Sequence, residues 1–135
     1  MTIELTTGLT KTRSFTVKPE QTIDFMGEEC RVYATPALLN DIEHACRDLI
    51  FENTPEGEDS VGTTVSIAHM APTLVGMDVD VTVTIDEVDG RKVALSIVAK
   101  DSLDTICKGR HERFVVNVEK TRQRLMAKAE KARQS

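Results

Sequence analysis

The chain has 135 residues, enough for one domain with a real hydrophobic core and too few for two ordinary ones. With 40% hydrophobic and 29% charged residues, no apolar run near the roughly 18 residues of a membrane span, and no basic start leading into an apolar run, it reads as a globular cytoplasmic protein, neither membrane-bound nor exported. A net charge of −5 argues against general nucleic-acid binding, and three scattered cysteines, Cys30, Cys46 and Cys107, suggest reduced thiols, with no disulfide framework and no zinc site.

Residues 12–17 suggest a short strand, followed by a turn at Lys18-Pro19-Glu20. Thr35-Pro36 then opens a helix: the hydroxyl can cap a free backbone N–H, and proline suits the first helical position. Leu38, Ile42, Ala45 and Leu49 recur at helical spacing with Leu39 and Cys46 beside them, which leaves Asn40, Asp41, Arg47 and Asp48 mainly for other faces. This predicts one core helix, running to about Ile50.

After the polar loop at residues 53–59 the apolar period changes from helical to two. On a strand over residues 61–71, Val61, Thr63, Val65, Ile67, His69 and Ala71 share one face, while Gly62, Thr64, Ser66, Ala68 and Met70 share the other. Val79, Val81, Val83 and Ile85 alternate with Asp78, Asp80, Thr82 and Thr84, the pattern of a sheet with one wet face. Asp89-Gly90 marks a hairpin, and Val93, Leu95, Ile97 and Ala99 carry the returning strand. A last strand over about residues 105–118 leads into a basic tail, predicted as a terminal helix, where residues 117–135 carry a net +4 against about −9 for the rest. One helix against a largely antiparallel sheet is an α+β two-layer fold in a single domain. Because one helix covers a broad sheet incompletely, a second copy of the chain is a natural way to complete burial.

Few side chains here point to chemistry. His69 falls on the inner face near its strand's end, where it can meet the helix; it is either a hydrogen-bonded core histidine or a proton carrier. Thr35 and Glu43 lie eight residues apart on the helix, at related angles and about 12 Å apart along the axis, so a hydroxyl, a carboxylate and an imidazole can border one crevice. Gly62 marks either a bulge or a close approach of ligand to backbone. His44 reads as exposed, and His111, inside Gly109-Arg110-His111-Glu112-Arg113, reads as part of a solvated strand edge. No phosphate loop, nucleophile elbow or metal motif is present, so no metal or cofactor is expected.

Taken in order, Ala34-Thr35, Glu43-His44-Ala45-Cys46, Ser60-Val61-Gly62-Thr63, Ala68-His69-Met70-Ala71-Pro72-Thr73, Gly109-Arg110-His111-Glu112-Arg113 and Val118-Glu119-Lys120 resemble the hot-dog-fold acyl-CoA thioesterases of the fluoroacetyl-CoA thioesterase family. The resemblance implies a curved antiparallel sheet wrapped around one long central helix. It also implies hydrolysis of a short or small acyl-CoA to the free acid and coenzyme A, in a homodimer or dimer of dimers with substrate bound between subunits. The family's catalytic threonine, glutamate and histidine fall on Thr35, Glu43 and His69, and its ligand-facing glycine falls on Gly62. Arg113 lies inside the matched region as a structural or substrate-facing contact. The resemblance covers residues 33–120 and weakens before Tyr33, where the fluoroacetyl-specific enzyme is longer and richer in phenylalanine, so fluoroacetyl specificity does not carry over. A non-catalytic acyl-CoA-binding or interaction module is the alternative; keeping Thr35, Glu43 and His69 together favours the enzyme, since binding alone does not require all three.

Overall fold

A computed structural model describes residues 5–134; residues 1–4, part of the stretch read above for an export signal, and Ser135 lie outside it. The elements run β1 (Thr10–Thr16), α1 (Thr35–Phe51), β2 (Glu58–His69), β3 (Asp78–Asp89), β4 (Lys92–Lys100), β5 (Thr105–Asn117) and α2 (Val118–Gln134). The five strands form one antiparallel sheet in the order β1-β3-β4-β5-β2, so β1 and β2 are its edges.

Alternation decides which face is dry. Val79, Val81, Val83 and Ile85 of β3 and Val93, Leu95, Ile97 and Ala99 of β4 are buried, and all pack with Leu38, Ile42, Ala45, Cys46, Leu49 and Ile50 of α1 in one core. The opposite face of β3 is wet: Thr82 and Thr84 bond across to Thr12 and Thr10 at 2.8 and 3.1 Å, and Thr16 bonds Asp78 at 2.5 Å. The β3–β4 hairpin turns at Gly90-Arg91, where Gly90 holds a φ of +61°, close to the left-handed region that asparagine or glycine tolerates best. Helix α2 has no buried residue and leaves Leu125 and Met126 exposed. None of the described helices is long and apolar enough to cross a membrane.

Three sequence readings are corrected here. Thr35 is not the helix cap: Ala34 occupies that position, Pro36 lies in the first turn, and no side chain caps the N-terminus, so the Thr35 hydroxyl is free for another partner. Asp41, left off the apolar stripe in the sequence reading, is nevertheless buried and accepts a hydrogen bond from the hydroxyl of buried Tyr33. The third correction concerns β2, where Gly62 stands opposite Arg113 while Thr64 stands opposite Glu112. Thr63 is therefore an extra residue in a β-bulge, and the alternation inverts across it. Gly62 faces the helix and Val61 faces away; beyond the bulge Ile67 packs on the core and His69 meets the helix. Seven residues separate Gly62 from His69, an odd number that would put them on opposite faces of a regular strand. The bulge brings both to the helix side.

Candidate active site

At the start of α1, Oγ1 of Thr35 lies 2.8 Å from Nδ1 of His69. The imidazole stands edge-on to the Tyr33 ring, at 80° and 6.4 Å between centroids. Tyr33 is held through its hydroxyl by Asp41 and through its backbone N–H, which donates to Thr73 O at 2.8 Å. Nε2 of His69 is buried without a hydrogen-bond partner. An unpaired buried nitrogen costs about 1–3 kcal/mol, so it marks a place where a site keeps a group free for use. Burial holds the His69 pKa below its ordinary value, with the Ala71 backbone pulling the other way, so the ring is neutral at pH 7. Around this pair a crevice of about 360 Å³ is lined by Ile23, Phe25, Val32, Met70, Ala71 and Pro72, with no charged side chain among its walls.

Glu43 lies elsewhere. Eight residues along α1, it borders a second cleft of about 470 Å³ with His44, Arg47, Ser60, Val61, Gly62 and Arg113. The single crevice expected for Thr35, Glu43 and His69 is therefore two crevices within one chain, because at about 1.5 Å per residue the helix itself holds Thr35 and Glu43 about 12 Å apart. Glu43 Oε2 faces Arg113 Nη1 at 3.5 Å. A Cβ added to Gly62 would lie 2.7 Å from that same Oε2, so the missing side chain at position 62 makes room for the carboxylate. The bulge lies one residue on, at Thr63, and the group that comes close to Gly62 is the Glu43 carboxylate.

Arg113 is 4% exposed and lies beneath the cleft. Its Nε donates to Ser60 Oγ at 2.8 Å, Nη2 to Ser60 O at 2.6 Å, and Nη1 to His111 Nε2 at 3.2 Å. His111 is not a solvated edge residue. It is 3% exposed, on a strand flanked by β4 and β2, with Nδ1 2.8 Å from Thr64 O. Ser60 and His111 escaped the sequence reading because Arg110, Glu112 and Arg113 surround the histidine with charge. The signal that finds them is parity: His111 and Arg113 share a face with buried Cys107 and Val115. His44 is exposed and bonds back to Asn40 O at 2.8 Å.

With this geometry in view, comparison with known proteins is decisive. A family model described as fluoroacetyl-CoA-specific thioesterase matches residues 17–119. The chain belongs to the fluoroacetyl-CoA-specific thioesterase family. The match reaches back to Val17, beyond the Tyr33 limit read from the sequence. The fluoroacetyl-CoA thioesterase of Streptantibioticus cattleyicolor is 33% identical over 116 residues, covering 81% of this chain and 84% of that one. A single-residue variant of the fluoroacetyl-CoA-specific thioesterase, solved in complex with fluoroacetate and CoA, superimposes with a TM-score of 0.79 at 31% identity over 87% of this chain and 99% of that one. A hot-dog-like protein from Thermanaerovibrio acidaminovorans gives a TM-score of 0.82 at 28% identity over 90% and 91%. The hot-dog fold expected from the sequence is thus the fold of this member of the thioesterase family, with α1 as the central helix.

Proposed function

We propose that this chain is an acyl-CoA thioesterase that hydrolyses a short, uncharged acyl-CoA to the free acid and coenzyme A, at a site completed by a second copy of the chain. The observation that carries this reading is the Thr35–His69 pair with its unpartnered Nε2 at an apolar crevice, the arrangement of a proton carrier waiting for a substrate. The family membership supplies the reaction class. The charge-free walls favour a small apolar acyl group over a carboxylated one, since an unpaired carboxylate there would be desolvated without compensation.

In the proposed dimer the two crevices meet across β2. This strand is a twelve-residue edge with Val61 and Val65 exposed, a ready template for pairing with a copy of itself. A two-fold axis across it runs the strands antiparallel and turns the Gly62 end of one protomer toward the His69 end of the other. Glu43 of one copy then faces the Thr35–His69 pair of the other. In this arrangement Glu43 attacks the thioester carbonyl to give a mixed anhydride, or takes a proton from the water that attacks it. As the carbon–sulfur bond breaks the sulfur leaves as a thiolate; His69, its Nδ1–H donating to the Thr35 hydroxyl, takes a proton from water at Nε2 and passes it to that thiolate, so the ring ends neutral as it began. Backbone N–H groups beside Gly62 or in the first turn of α1 meet the oxyanion. Arg113 holds Glu43 from within the same cleft. The reaction needs only water as co-substrate, with no added cofactor or metal, and the three unpaired cysteines fit a cytoplasmic setting.

The test is thiol release from a panel of short, branched, aryl and carboxylated acyl-CoAs with wild type, Glu43→Ala and His69→Ala. The expected outcome is turnover of small uncharged acyl groups, with each variant down by about 10²–10⁴-fold. Turnover of none of the panel, or variants equal to wild type, contradicts the proposal. In a single turnover in ¹⁸O-labelled water, label in the Glu43 carboxylate establishes the anhydride route, since a base acting on water acquires none.

A further inference from the structure

We infer that His111, a residue with no place in the mechanism above, is a positioning residue that aims Glu43 through Arg113. The inference rests on the reading of Glu43 as the group that attacks the thioester or activates water. Arginine can only donate hydrogen bonds, so the 3.2 Å contact from Arg113 Nη1 requires a bare lone pair on His111 Nε2. The ring's proton then sits on Nδ1, where it donates to Thr64 O at 2.8 Å. One tautomer and one charge state satisfy both contacts.

Nη1 donates to His111 and lies 3.5 Å from Glu43 Oε2 as an ion pair. The guanidinium is a rigid plane, so the two contacts to Ser60 and the third to His111 together fix the orientation in which Nη1 faces Glu43. Burial, first of all, keeps the His111 pKa below its ordinary value, and the Arg113 charge lowers it further, while Thr64 O and Glu43 push the other way. Across the helix the neighbouring Cys46 thiol, pushed up to about 12 chiefly by burial, stays neutral and offers no competing charge. The anchor of this chain is the Thr63 bulge, since it turns Thr64 O to His111 and Gly62 to Glu43 in the same stretch of backbone.

The test compares three variants with wild type and with Glu43→Ala in the thiol-release assay. His111→Gln keeps an acceptor near the position of Nε2; His111→Asn keeps a donor near Nδ1 for Thr64 but cannot reach Arg113; His111→Ala keeps neither. Positioning predicts that Ala and Asn lower kcat by about 10- to 100-fold with little change in KM, and that Gln restores most of it. A space-filling or Thr64-anchoring role predicts instead that Asn equals or exceeds Gln, and that outcome, or Ala at the wild-type rate, overturns the inference. Should the variants fail to fold, the wild-type protein still decides: a long-range ¹H–¹⁵N spectrum at pH 7 must show His111 protonated on Nδ1 alone, and an Nε2–H or doubly protonated ring overturns it. If Glu43→Ala is as active as wild type, the underlying reading of Glu43 fails; if it is inactive while His111→Ala is not, only the role of His111 fails.

Discussion

A single methyl group at position 62 would sit 2.7 Å from Glu43 Oε2 and 3.0 Å from His111 Cε1. Gly62→Ala is therefore expected to displace the carboxylate and lower kcat by about 10- to 100-fold, with little loss of thermal stability because the Glu43 side chain is half-exposed and can move. At the other half of the site, Thr35→Ser keeps a hydroxyl for His69 Nδ1 and is expected to stay within several-fold of wild type, whereas Thr35→Val loses the bond and about 10²-fold in kcat. Both are read from steady-state kinetics beside a melting curve. Protonation adds a further expectation at this scale. His69 and His111 both have pKa values lowered in the fold, chiefly by burial, so the unfolded chain binds more protons as pH falls. Their contribution to stability is complete above the unfolded value of about 6.5 and is lost as pH drops through the folded values. The melting temperature should decline on acidification below about 6.5, and less so in His111→Gln; a flat profile from neutrality downward would contradict this. His69 and Gly62 stand out as a polar residue and a glycine in a strand pattern, while Thr35 and Glu43 join them as site residues only through the family resemblance. His111 is masked by the charges on either side of it, and only its parity with Cys107 and Val115 along β5 points inward.

Among the elements, α1 carries both halves of the site and much of the core. Ile42 is fully buried between them, and Ile42→Ala should cost about 2–5 kcal/mol in chemical denaturation. Arg47 joins this helix to the start of β2 through paired bonds to Asp59 at 3.0 and 2.6 Å, and its guanidinium lies 4.0 Å over the Phe51 ring. The Arg47 bond is the first cause of the lowered Asp59 pKa. The helix and the strands were legible because their apolar periods are clean: the β3 and β4 faces and the Asp89-Gly90 turn follow directly from alternation. The phase of β2 was not legible. Gly62 allows a bulge without requiring one, and Gly62-Thr63-Thr64 has no apolar side chain to report which residue is the extra one. Val61 was placed inside on that account and faces out. Deleting Thr63 should restore regular alternation, turn Gly62 away from Glu43, and abolish activity while the helix signal in circular dichroism persists.

For the molecule as a whole, the separation of Glu43 from the Thr35–His69 pair is the feature that asks for explanation. The helix length between the two positions cannot change, so no motion within α1 closes it. In the proposed dimer a second copy would do so without altering the fold, and would also cover the unpaired β2 edge with its exposed Val61 and Val65. Twice the 15.0 kDa chain mass is the expected species in light scattering at micromolar concentration, and Val65→Lys at the edge should shift it toward monomer with a parallel loss of turnover. The sequence suggested a second copy from incomplete sheet coverage, but where the site divides between copies became legible only when the two crevices were seen apart. The most direct test mixes two inactive proteins, Glu43→Ala and His69→Ala, after dissociating and reassociating them. In a mixed dimer one site inherits both lesions and the other neither, so equal mixing is expected to recover about one quarter of wild-type activity. No recovery at any mixing ratio would mean that Glu43 and His69 act within one protomer, and would contradict the account.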